Sequence, residues 1–228
     1  MSARDPFVAI SENLARGCRR RQVSSFVALG DSFTAGRGID ADARWADRLA
    51  ASLRARHPGL AYHNLAVDGA TSAEVLDQVG PAIQLEPDLV TLICGANDVI
   101  GSVRPDVDGY AKHLAAIIDR LTGALPRVAI LTATSPEQWR FLDLRPRTRA
   151  RVIDGISRLN EATRSVAGSR SVPVVDVVRH PGLDQEENFL ADGLHPSPTG
   201  HGRAATEFAR ALRDQFGIDS EITTKETP

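Results

Sequence analysis

The chain has 228 residues, with 27 Lys and Arg against 29 Asp and Glu and a formal net charge of -2. That length suffices for one α/β domain with a sizeable core, and the near-neutral balance supplies no basic field to draw in nucleic acid or anionic lipid. The two cysteines, Cys18 and Cys94, are too few for a disulfide framework, and no ligands cluster at zinc spacing, so neither a metal nor another cofactor is expected.

No run approaches the roughly 18 apolar residues of a membrane span. The N-terminal stretch carries Asp5 and Glu12 and makes a poor signal peptide; a cytoplasmic protein is expected, with a short helix over Pro6 to Arg16. Strand-like VSSFVALG (Val23 to Gly30) is followed by a helical pattern over Ala43 to Arg56, with Trp45, Leu49 and Leu53 on one face. LAYHNLAV (Leu60 to Val67) reads as a second strand and Ser72 to Leu85 as a helix. DLVTLICG (Asp88 to Gly95) is apolar almost throughout, as in a strand covered on both faces. A helix over Val107 to Leu121 presents Tyr110, Leu114, Ile117 and Leu121 on one side. RVAILTAT (Arg127 to Thr134), a long helix over Arg147 to Val166, SVPVVDVV (Ser171 to Val178) and a last helix over Thr199 to Phe216 complete the series.

This alternation predicts a mostly parallel sheet sandwiched by helices. No repeat or Gly/Ser linker divides it. The expected organisation is an N-terminal helical extension (1–22), one domain (23–216) and a polar, flexible tail (217–228). Ligands of such sheets bind beyond the carboxyl ends of the strands. There the sequence places Asp31-Ser32, Asp68-Gly69, Asn97-Asp98 and, after the fifth strand and a longer loop, Asp192 and His195.

Each group has two readings. In GDSFTAG, Asp31 or Ser32 is a helix N-cap, or Ser32 is a nucleophile in need of a base. In DGLHPS, Asp192 closes a turn, or it orients His195 so that the free ring nitrogen takes the serine proton. Of six histidines, His57, His63, His113 and His201 fall in helices, a helix end or a strand, and His180 opens a loop; only His195 has a carboxylate three residues before it in a rim loop. Gly69 and Asn97 are turn residues, or they join the Ser32 backbone N–H as donors to a developing oxyanion.

Taken in order, the blocks GDSFTAG, NLAVDGAT, GAND and DGLHPS resemble those of the SGNH hydrolase superfamily, the GDSL-type esterases and lipases. The resemblance spans Phe26 to His201. It implies a flavodoxin-like three-layer α/β/α sandwich with a five-stranded parallel sheet. It also implies Ser32 as nucleophile, His195 as base, Asp192 as its orienter, and Ser32, Gly69 and Asn97 as the oxyanion hole. Asp31 would be structural. Phe33 stands where the GDSL name has Leu. The α/β-hydrolase elbow GxSxG is ruled out by Thr34. GRGIDA (Gly36 to Ala41) does not directly follow a strand as a dinucleotide fingerprint must, and no GK[ST] occurs.

The family implies ester, thioester or O-acetyl hydrolysis, and sometimes acyl transfer; the first expectation is a carboxylester hydrolase acting on a small-molecule ester with a small or medium acyl group. Two alternatives stay open: a thioesterase or acyltransferase acting on a CoA- or carrier-bound acyl group, and a non-catalytic flavodoxin-like binding domain. Trp139 and Phe141, with Leu142, line an acyl pocket or pack on the body. Arg145, Arg147, Arg149 and Arg151 meet a substrate phosphate or are solvated.

Overall fold

A computed structural model describes residues 21–137, 142–180, 182 and 185–222. The N-terminal helix expected over Pro6 to Arg16, and the candidate pocket residues Trp139 and Phe141, lie outside the described residues.

Five strands form one parallel sheet: β1 (Ser25–Gly30), β2 (Ala61–Asn64), β3 (Leu89–Ile93), β4 (Ala129–Ala133) and β5 (Val174–Val175). Their order is β2-β1-β3-β4-β5, the doubly wound flavodoxin-like order with its switch point between β1 and β3. The residues of β1, β3 and β4 are almost all buried, because helices cover both faces.

Alternate side chains sort into two cores. Val27, Leu29, Val90, Leu92 and Ile130 meet α3 (Ser72–Asp77), α4 (Val79–Gln84), α6 (Val107–Ala124) and α7 (Pro146–Ser169). Phe26, Ala28, Leu89, Leu131 and Ala133 meet α2 (Trp45–Arg56) and α8 (Pro198–Phe216) on the opposite face. Two short helices, α1 (Ser32–Ala35) and α5 (Ala96–Ile100), follow β1 and β3 at the carboxyl rim.

Three elements depart from the sequence reading, the first being the strand expected over Leu60 to Val67, which keeps only Ala61–Asn64. The helix expected over Ser72 to Leu85 is divided at Gln78. Pro81 has no N–H to give the carbonyl of Asp77, and its ring crowds that carbonyl, so an unbroken helix cannot form. The strand expected over Ser171 to Val178 keeps only Val174 and Val175. Ser171 adopts a left-handed φ of 54°, Pro173 cannot donate to a ladder, and a 3-10 turn begins at Val177.

The segment after Gly217 was expected to fray, yet its described part is held. Ile218 is fully buried. The Asp219 carbonyl lies 2.9 Å from His57 Nε2, and Ile222 N–H donates to Ser52 Oγ at 2.8 Å. Ile218 and the partly buried Ile222 join the core that contains α2, and these hydrogen bonds fix the backbone between them.

Candidate active site

The site starts with the geometry at the end of β1. Gly30 has φ 151°, and a Cβ there would lie 2.4 Å from the Ile93 carbonyl oxygen, so no larger residue fits. Asp31 follows as the N-cap of α1; its carboxylate accepts the Phe33 N–H at 3.0 Å. The capping duty thus falls on Asp31 and leaves the Ser32 hydroxyl free. That oxygen lies 3.1 Å from His195 Nε2, while His195 Nδ1 lies 2.7 Å from Asp192 Oδ2. An ionised carboxylate can only accept, so Nδ1 carries the proton and Nε2 is left to receive one from Ser32.

Both readings of DGLHPS hold at once. The second oxygen of Asp192 accepts the backbone N–H groups of Leu194 at 2.9 Å and His195 at 3.0 Å, closing the turn that aims the ring. Burial pushes the Asp192 pKa up, but the bonds from the His195 ring and from these two N–H groups outweigh it and hold the carboxyl below its ordinary value. Neighbouring chain fixes the loop. Leu190 N–H donates to the His195 carbonyl and Ser197 N–H to the Asn188 carbonyl, both at 2.8 Å. Ser197 then caps α8 through Gly200 N–H.

Gly69 lies in the turn after β2 at φ 80°. This turn is stitched to β1 by Val67 N–H donating to the Gly30 carbonyl at 3.0 Å. It is stitched to α5 by Asn97 Nδ2 donating to the Ala70 carbonyl at 2.9 Å. A primary amide has two N–H donors, so one remains on Asn97. The next residue, Asp98, accepts Ser72 N–H at 2.8 Å and Ser72 Oγ–H at 2.5 Å, and His113 Nδ1 stands 2.9 Å from the same hydroxyl. Sequence reasoning took Ser72 for a helix start and His113 for a helix-face residue, and missed that they hold the Asn97 helix in place.

Of the remaining histidines, His63 is exposed on β2 and the other three are otherwise engaged. His201 Nδ1 accepts Trp45 N–H at 3.1 Å, and burial, aided by the Arg48 and Arg44 charges, pushes its pKa down to about 4. His180 lies 3.6 Å from Glu207, and His57 Nδ1 accepts the Val23 N–H at 3.4 Å. Two of the four candidate phosphate-binding arginines are also engaged. Arg149 donates to the Leu142 carbonyl at 2.7 Å, and Arg151 donates to the Val99 carbonyl at 2.9 Å and to that of Ser102, closing the end of α5.

Asp31 is buried, and desolvation raises its pKa from 3.8 to about 7. A raised acid pKa means that the folded protein binds the proton more tightly than the unfolded chain. The fold therefore loses stability as pH rises from about 4 to about 7. Asp31→Asn keeps an acceptor for Phe33 N–H without the charge. Its melting temperature relative to the wild type should climb across that window and level off above it. A difference independent of pH in a thermal-shift series would contradict this.

Beside the site lies a cavity of about 100 Å³ whose lining includes Phe33, Ile93, Ala96, Ala133, Pro196 and Phe208. Chain neighbours of Ser32, Asn97 and His195 are among these residues. Among the described residues, no group of His, Cys, Asp and Glu could hold a metal ion, and no helix is long and apolar enough to cross a membrane.

The profile of the GDSL-like Lipase/Acylhydrolase family matches residues 28–203. Among solved structures, the chain is similar to the lipase/acylhydrolase from Enterococcus faecalis (24% identity over 84% of this chain and 96% of that one, TM-score 0.67). It is similar to TesA (21% identity, 83% and 98% covered, TM-score 0.66). It is also similar to the psychrotrophic esterase EstA from Pseudoalteromonas sp., solved inhibited by monoethylphosphonate (17% identity, 85% and 99% covered, TM-score 0.67). No curated protein sequence matches the chain significantly. With four rim motifs meeting on one flavodoxin-like edge and a family match over most of its length, the chain belongs to the GDSL-like lipase/acylhydrolase family of SGNH hydrolases and is a carboxylic ester hydrolase.

Proposed function

We propose that the protein cleaves esters of small or medium acyl groups through an acyl-enzyme on Ser32. His195 Nε2 takes the Ser32 proton as Oγ attacks the carbonyl carbon. The resulting imidazolium is stabilised by Asp192 and returns the proton to the leaving alcohol. Water repeats the sequence, and the serine hydroxyl is restored. The single observation that carries this is the unbroken pair of contacts from Ser32 to His195 (3.1 Å) and from His195 to Asp192 (2.7 Å).

The developing oxyanion is held by the Ser32 N–H, the Gly69 N–H and the second N–H of Asn97. Asn97→Ala should lower kcat by roughly 10²–10³-fold with little change in KM, because such donors bind the transition state more tightly than the substrate. A raised KM with kcat intact would make Asn97 a ground-state binder.

The apolar cavity of about 100 Å³ supports a short acyl group. Chain burial stabilises by about 0.8 kcal/mol per methylene until the space is full. Hydrolysis of a p-nitrophenyl ester series should peak at a small or medium acyl chain and fall at least about tenfold by laurate. A phosphonate inhibitor should label Ser32, read by mass spectrometry of the active-site peptide. Ester turnover with the label on another residue would refute the acyl-enzyme assignment, and a preference rising steadily to laurate would refute the size limit.

A further inference from the structure

We infer that Gln78, which no motif includes, is a positioning residue that sets the nucleophile strand against the oxyanion loop. This rests on the serine hydrolase reading above. Its side-chain amide makes two bonds to a single residue: Oε1 accepts Gly30 N–H at 2.9 Å and Nε2 donates to the Gly30 carbonyl at 2.9 Å. Gly30 immediately precedes Asp31 and Ser32. Both bonds are buried, and Gln78 is 7% exposed.

The need for such a clamp follows from the sheet. The paired register of β1 with β2 runs only to Ala28 and Asn64. Beyond that point β2 must turn away to form the loop carrying Gly69. Val67 N–H still reaches the Gly30 carbonyl, but no backbone carbonyl from that side meets the Gly30 N–H. The Gln78 amide takes the place of a missing peptide unit, offering one donor and one acceptor in the same plane. The break between α3 and α4, imposed by Pro81, puts Gln78 at the junction. Because α3 begins just after the Gly69 turn, the clamp joins the backbone bearing the Ser32 N–H to the far end of the helix that follows that turn. A small relative shift of these donors would weaken both at the oxyanion, and misplacement by about 1 Å can lower a rate about 10²-fold.

The test uses the full chain and two substitutions. Gln78→Leu keeps the bulk and loses both bonds. Its kcat per phosphonate-labelled site should fall roughly 10–100-fold with KM within about twofold, and the second-order rate of labelling should fall in parallel. Gln78→Glu supplies an internal control. A protonated carboxyl reproduces both bonds, one O–H donor and one acceptor, whereas the ionised form loses the donor and sets a charge against the Gly30 carbonyl. The ratio of its activity to that of the wild type should therefore rise as pH falls from about 8 to about 5; the adjacent carboxyl of Asp31 titrates in both proteins. Full kcat in Gln78→Leu, even with a lowered melting temperature, would reduce Gln78 to a structural role, and so would a Gln78→Glu ratio flat with pH. Should Gln78→Leu not fold, the Gln78→Glu ratio decides alone. Undiminished turnover in Ser32→Ala would instead overturn the hydrolase mechanism on which the inference rests.

Discussion

Ser32→Ala is expected to lower kcat for ester hydrolysis by at least about 10⁴-fold while leaving the melting temperature nearly unchanged. The Ser32 side chain is 6% exposed, and His195 Nε2 is the partner of its hydroxyl. On the proposed mechanism, removing the oxygen deletes the nucleophile; it also removes one hydrogen bond but leaves the cap on Asp31, where the α1 N-terminus is satisfied. Fold and reaction therefore separate at this residue. The residual rate would report what the proposed oxyanion donors achieve with water alone, so it should remain above the uncatalysed reaction. Circular dichroism together with ester turnover distinguishes the two effects. A loss of less than about tenfold would mean that another group attacks the carbonyl.

His195→Ala should cost at least about 10³-fold in kcat, since without a base the hydroxyl is a weak nucleophile and the leaving alcohol receives no proton. No second imidazole is placed to take over: His201 is bound through Nδ1 to the Trp45 N–H, and His180 faces Glu207. On the proposed mechanism Ser32 and His195 act as one unit, so the double variant should be scarcely worse than either single one. Multiplying losses in the double variant would show that the two side chains work independently. The Phe33 ring, 6.4 Å from that of His195 between centroids, packs beside the imidazole, which explains how an aromatic residue is accommodated after the nucleophile.

The sequence legibly placed most of the sheet and helices, because strands covered on both faces read as continuous apolar runs. TLI in β3 and FVALG in β1 needed no tertiary information. Helix α6 showed its buried stripe of Tyr110, Leu114, Ile117 and Leu121 directly. Reading failed where one residue overrode a pattern. Pro81 divided a periodic helix, Ser171 and Pro173 shortened a β-branched strand, and Ile218 anchored a polar tail.

The sequence by itself determined which chemistry-bearing residues stand at the strand ends. A strand of apolar residues has few ways to stop, and Gly30-Asp31, Asp68-Gly69 and Gly95 with Asn97 mark three of them locally. Only the tertiary structure decided which of those residues meet. The Ser32–His195 contact closes 163 positions of separation, and Gln78 reaches Gly30 across 48. Hydrogen bonding of that range leaves no periodicity in the chain. At Gly30 it arises because the buried backbone at the end of β1 needs partners that its neighbouring strand has ceased to supply; at Ser32 it arises because the Asp192 turn aims the His195 ring at the serine hydroxyl.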